Sequence, residues 1–271
     1  MKRGWAGKGQ IAIFIIVGVV LIAIIIGIFY INKEGVSKTK KYLEGSIQAS
    51  IVSCMEDTAD DSLEVIGLQG GYYQKPEQYY HLEWGFLPYF FYEEKNLVPS
   101  NKVIEGELSK YVNDNLKQCL EVLDSNNLKL DYGDLKTKTI IKEKEILFEM
   151  DMPININNNG LKSEFELKDN PIFRTSALYD ILEVANYIVD SHASIDGLMC
   201  ISCLGELAEE RNLYVNEFDF ADDSTLVIIS ENHTYSKFYL FEFLEKFEVD
   251  ISVIDDFADL DENIAPQLPS I

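Results

Sequence analysis

The groups in this sequence able to do chemistry are four cysteines, three histidines and 46 acidic side chains, and their spacing decides what kind. Cys200-Ile201-Ser202-Cys203 is a CxxC. In a redox motif the first cysteine is exposed and opens a helix that follows a strand. Here the pair lies in an apolar stretch, LMCISCLG, that reads as the middle of a helix over 195–211. A local disulfide or a pair of buried thiols therefore ranks first, and thiol–disulfide exchange by Cys200 and Cys203 second. Zinc ranks last, because neither a second CxxC nor a paired histidine completes four ligands. Cys54 and Cys119 each fall on the apolar stripe of an expected helix. If those helices pack together, the sulfurs can meet and form a disulfide worth roughly 4 kcal/mol by chain-entropy arithmetic. The alternative is two small buried hydrophobes.

No other cluster suggests catalysis. His81, His192 and His233 are scattered and form no HExxH. Asp190-Ser191-His192 contains the residue types of a triad, but sequence neighbours do not make triad geometry and no GxSxG elbow is present. There is no Walker motif and no dinucleotide-binding glycine pattern. The acids Asp255, Asp256, Asp259, Asp261 and Glu262 lack EF-hand spacing. The expectation is a protein with no catalytic site, cofactor or metal. Asn232-His233-Thr234 is an N-glycosylation sequon at an expected hairpin tip.

Among the elements that carry these groups, the strongest pattern is apolar. Residues 11–31, IAIFIIVGVVLIAIIIGIFYI, contain no charged side chain. About 20 residues at 1.5 Å each span the ~30 Å hydrocarbon core, so the run predicts a transmembrane helix in a lipid bilayer. It exceeds the 7–15 apolar residues of a cleaved signal and lacks a small-residue cleavage pattern. Lysines flank both ends, but the stub before the helix carries no acid, which favours an N-terminus in the cytoplasm and a domain outside it. The formal net charge of −23 argues against nucleic acid as a partner.

Beyond the span, apolar residues recur at helical spacing from Leu43 to Ile66, and Gln69-Gly70-Gly71 ends that helix. Ten aromatics crowd residues 72–92. They read first as strand residues and second as a stacking platform for a protein or glycan partner at the cell surface, with Tyr79, Tyr80, Trp84 and Tyr89 as contact candidates. Ser100 caps a second helix, 101–124. Alternation over 146–168 around Asn157-Asn158-Asn159-Gly160 predicts a hairpin, with Pro153 marking an edge or a bulge and 136–142 adding a strand. Helices at 174–190 and 195–211 and strands at 213–220, 225–230 and 236–243 follow.

The order of elements predicts an α+β fold in which the transmembrane helix continues into an amphipathic helix, followed by a mixed domain with antiparallel hairpins. The expected divisions are a cytoplasmic stub (1–9), transmembrane helix (10–31), amphipathic stalk (32–70), first α+β lobe (71–170), second α+β lobe (171–254) and acidic tail (255–271).

Lys8-Gly9-Gln10 followed by Ile11-Ala12-Ile13-Phe14-Ile15-Ile16 resembles the class III signal of archaeal type IV pilin-like proteins. That resemblance implies processing after Gly9, with Gln10 as the first mature residue. The chain departs from it at Phe14, where pilins carry glutamate, and in its larger, more helical head. Over its first quarter the chain looks like a group of uncharacterised archaeal single-pass membrane proteins, through KGQ-IAIFIIVG, Cys54 and Gly67-Leu68-Gln69-Gly70-Gly71-Tyr72. This likeness implies a surface location and no activity. The sequence thus favours a non-enzymatic surface interaction or assembly module, then a pilin-like filament subunit, then a thiol–disulfide oxidoreductase.

Overall fold

In a computed structural model, residues 45–125, 127–193, 199–221, 223–231 and 239–246 are described below. The expected span at 11–31, the processing candidates Gly9 and Gln10, the sequon at Asn232 and the acidic tail lie outside them. Among the described residues no helix is long and apolar enough to cross a membrane. The chain divides into two compact units between Ser53 and Cys54. Residues 45–53, the described part of the first, are helical.

The second unit is a mixed α+β domain. Helix α1 (45–68) enters it at Cys54 and buries Cys54, Met55, Ala59, Leu63 and Ile66, a stripe at three- and four-residue spacing. It ends as expected on Gly70 and Gly71, both at positive φ, with the Gly71 N–H donating to the Ile66 carbonyl at 2.7 Å. The three glycines of this segment do more than end a helix. A Cβ on Gly67 would run into the Leu240 carbonyl oxygen. One on Gly70 would lie 2.5 Å from Pro88 Cγ, and one on Gly71 2.8 Å from Ile104 Cδ1. The missing side chains let the turn sit against two strands and a second helix.

Strands β1 (Tyr79–His81), β2 (Phe86–Tyr92) and the short β3 (Lys95–Asn96) come next, confirming strands in the aromatic segment. Helix α2 (Asn101–Leu123) follows. Ser100 holds its N-cap position, but through its carbonyl, which accepts from the Val103 N–H; its side chain makes no cap bond. Strands β4 (Leu128–Tyr132), β5 (Lys136–Ile141), β6 (Glu145–Asp151), β7 (Pro153–Asn158), β8 (Leu161–Glu166) and β9 (Ile172–Thr175) are all antiparallel with their partners.

These six strands are the halves of one bent meander. Lys136 faces Asp151 and Tyr132 faces Ile154, which leaves Gly133, Asp134 and Leu135 opposite only Met152 and Pro153. The extra residue bends the ladder where Pro153 cannot donate. Pro153 marks a bulge and not an edge, since β7 has a neighbour on each side. At the far end Asn159 and Gly160, both at positive φ, form a two-residue turn within the predicted Asn157-Asn158-Asn159-Gly160 segment.

Helix α2 covers the outer edge of β5. Glu105, Ser109 and Asn113, one helical turn apart, accept the N–H groups of Ile141, Thr139 and Thr137 at 2.9–3.0 Å. A helix stripe of period four thereby meets a strand edge of period two, and donors that could pair with another chain are satisfied.

Helices α3 (Leu178–His192) and α4 (Ile201–Glu210) precede β10 (Leu213–Phe220), β11 (Ser224–Glu231) and β12 (Leu240–Lys246). The large sheet runs β1-β2-β12-β11-β10, with β2 parallel to β12 and β3 beside β2. A strand of the expected first lobe therefore completes the sheet of the second, and the division at 170 does not follow the sheets. On one face Phe90 stacks on Phe243 at 4.3 Å and meets Phe241 edge-on. On the other, Leu87, Tyr89 and Leu244 form a second cluster with Tyr80, Phe220 and Leu226 around them. Tyr80 meets Phe220 at 5.1 Å, so the sheet curls until residues of its first and last strands touch.

Candidate functional site

Helix α4 and strand β10 bring together most of what the sequence left unassigned. Leu204 and Ala208 face inward, while Ile201, between the two cysteines of the CxxC, is 68% exposed. Arg211 closes the C-terminal end of α4 onto α3, with Nη2 and Nε donating to Glu183 Oε2 at 2.7 and 3.0 Å. Between α4 and β10 runs a groove of about 740 Å³, walled by Ile201, Gly205 and Glu209 on the helix and by Leu213, Val215 and Glu217 on the strand.

β10 is the last strand of its sheet, and among the described residues it pairs on one side only, with β11. Tyr214 and Phe218 alternate along β10 with the wall residues Leu213, Val215 and Glu217 and are 54% and 52% exposed, with Tyr214 also bordering the groove. The outer edge of β10 thus has an apolar bed on either side of it. The edge of β5, by contrast, is bonded by α2.

The CxxC does not lie mid-helix, as its setting in sequence suggests. Cys200 is the N-cap of α4, and its Sγ accepts the Cys203 N–H at 3.2 Å. Both cysteines are exposed and joined at 2.02 Å. Asp196-Gly197, a turn-favouring pair just upstream, is the sequence signal for a later helix start. Cys54 and Cys119 form the other disulfide, at 2.05 Å, linking α1 to α2.

A charged cluster lies under the same end of the sheet. Glu245, fully buried on β12, has Oε2 3.1 Å from His192 Nδ1 at the end of α3. The contact with Glu245 raises the His192 pKa; burial opposes it, and the charges of Glu245 and Glu217 add to the rise. Burial, then the charge of Glu245, raises the pKa of Glu217, which also walls the groove. No sequence spacing joins residues 192, 217 and 245, so only the packing reveals this cluster. Among the described residues no group of three or more histidine, cysteine or acidic side chains is arranged to hold a metal.

The aromatic candidates separate. Tyr89 is buried, with its hydroxyl 3.3 Å from Ser224 Oγ, and Tyr80 is half-buried against Phe220. Tyr79 lies edge-on to Phe86 at 5.9 Å and keeps part of its ring exposed. Trp84, in the tight turn between β1 and β2, is 66% exposed.

No protein-family model, curated protein or solved structure matches the chain.

Proposed function

We propose that this protein is a membrane-anchored, extracytoplasmic interaction module that docks an extended, basic polypeptide segment of a partner along β10. The apolar run 11–31 is the anchor in this reading, with the N-terminus cytoplasmic. The observation that carries the reading is the outer edge of β10, which no strand pairs among the described residues, eight residues long and flanked by exposed Tyr214 and Phe218 and by the α4 groove. An added strand would place alternate side chains into the groove and against the two rings, while its backbone completes the ladder. The partner is basic because Glu209, Glu217 and Asp219 lie at this edge of a chain with net charge −23.

The test uses the full chain in nanodiscs against a displayed library of linear peptides, read by amide hydrogen exchange. Selected peptides should alternate basic with apolar residues and slow exchange in 213–220, and Gly205→Trp should abolish binding by filling the groove. Selected peptides that leave 213–220 unprotected would remove the proposal.

A further inference from the structure

We infer that Cys200–Cys203 is a redox site that oxidises pairs of cysteine thiols in polypeptides. The two disulfides of this domain differ in what they can do for the fold. Cys54–Cys119 closes 65 residues and joins two helices, with Cys54 buried. Cys200–Cys203 closes three. The entropy removed by a cross-link grows with the loop it closes, so the second bond has little structural work to do. It lies in the open, with both cysteines and Ile201 between them exposed, and buried disulfides are the ones protected from exchange.

Its place in the fold also favours electron transfer. Cys200 caps α4, so its sulfur lies at the positive end of a ten-residue helix and accepts the Cys203 N–H. Negative charge on Cys200 Sγ is stabilised there. The apolar groove begins at Ile201, which offers a bed for the chain that carries the substrate thiols. This inference shares the groove with the docking reading, but its test reads sulfur oxidation state and not strand addition, so either can fail alone.

A substrate thiolate attacks Cys203 Sγ, the Cys200–Cys203 bond breaks, and the electron pair leaves on Cys200 Sγ. A mixed disulfide now joins the substrate to Cys203. The second substrate thiolate attacks the substrate sulfur of that bond and expels Cys203 as thiolate. The protons given up by the two substrate thiols pass to Cys200 and Cys203. Two substrate thiols become one disulfide, one protein disulfide becomes two thiols, and a single turnover needs no other oxidant.

The experiment incubates the full chain in detergent micelles with an equimolar, reduced synthetic peptide bearing two cysteines. The reaction is quenched with acid, alkylated and mapped by mass spectrometry. The expected result is close to one peptide disulfide per chain, alkylation of Cys200 and Cys203, and none of Cys54 or Cys119. The variant Cys200→Ser/Cys203→Ser should keep the native urea midpoint and oxidise peptide no faster than buffer. A peptide left reduced beside an intact Cys200–Cys203 bond overturns the inference, as does a double variant that oxidises peptide at the native rate.

Discussion

His192 Nδ1 stands 3.1 Å from Glu245 Oε2, joining the last turn of α3 to an interior strand of the large sheet. Glu245 is fully buried, so the imidazolium is its countercharge. The His192 pKa is raised above 6.5, first by this contact. A raised folded-state value means stability that is complete below pH 6.5 and lost as pH climbs through the folded value. Glu217 and Glu242, both raised above 4.5 by burial, act in the same direction from a lower starting pH. Urea denaturation should therefore give a lower midpoint at pH 8.5 than at pH 5.5. His192→Leu, which strands a buried carboxylate, should lose about 3 kcal/mol at pH 6 and flatten that slope. His192→Leu/Glu245→Leu should regain most of the loss. An unchanged midpoint across this pH range would contradict the pairing.

The disulfide between Cys54 and Cys119 is the principal cross-link of the domain. Replacing both by alanine should cost about 4 kcal/mol, because a loop of this length regains its closure entropy in the unfolded chain. Urea midpoints of native, reduced and double-alanine chains check this, and the latter two should agree. A reduced chain as stable as the oxidised one would refute the structural role.

Much of this fold was legible locally. The Asn159-Gly160 turn, the alternation on either side of it and the apolar stripe of α2 all report contacts made within a few residues or along one face. The glycine pair after α1 announced a helix end, but not that its Cβ-free surface faces Pro88 and Ile104. Pairing of β2 with β12 joins residues about 150 positions apart, and no local pattern encodes which distant strand a chain will meet. The same is true of His192 and Glu245. The CxxC was misplaced for a different reason. Apolar residues on both sides of Cys200 extend the helical pattern, and periodicity alone ignores the turn-favouring pair Asp196-Gly197, the sequence signal for a helix that starts only at Ile201.

Gly205 sits on the exposed side of α4, and a Cβ there would meet nothing within 4 Å. Glycine inside a helix loses more chain entropy on folding than alanine does. Gly205→Ala should therefore stabilise the domain by about 0.5–1 kcal/mol. A calorimetric Tm above the native value is the expected outcome. A drop would mean that the backbone at 205 is not simply helical.

Gly70 presents the opposite case. Its φ is +52°, and a Cβ would lie 2.5 Å from Pro88 Cγ and 2.7 Å from the Glu242 carbonyl oxygen. Alanine there meets two costs, since an L side chain is strained at positive φ and the ring of Pro88 has to move. A backbone outlier of this kind costs about 1–3 kcal/mol and overpacking a similar amount. Gly70→Ala should thus lose at least about 2 kcal/mol, read from the urea midpoint. Gly45→Ala is the control, since nothing lies within 4 Å of its Cβ position. If the two substitutions move the midpoint equally, the close seating of the α1 terminus on β2 and β12 is wrong. If Gly70→Ala alone falls, the segment from Gly67 to Gly71 is held by the strands it touches, and its glycines are required by that contact as well as by the turn.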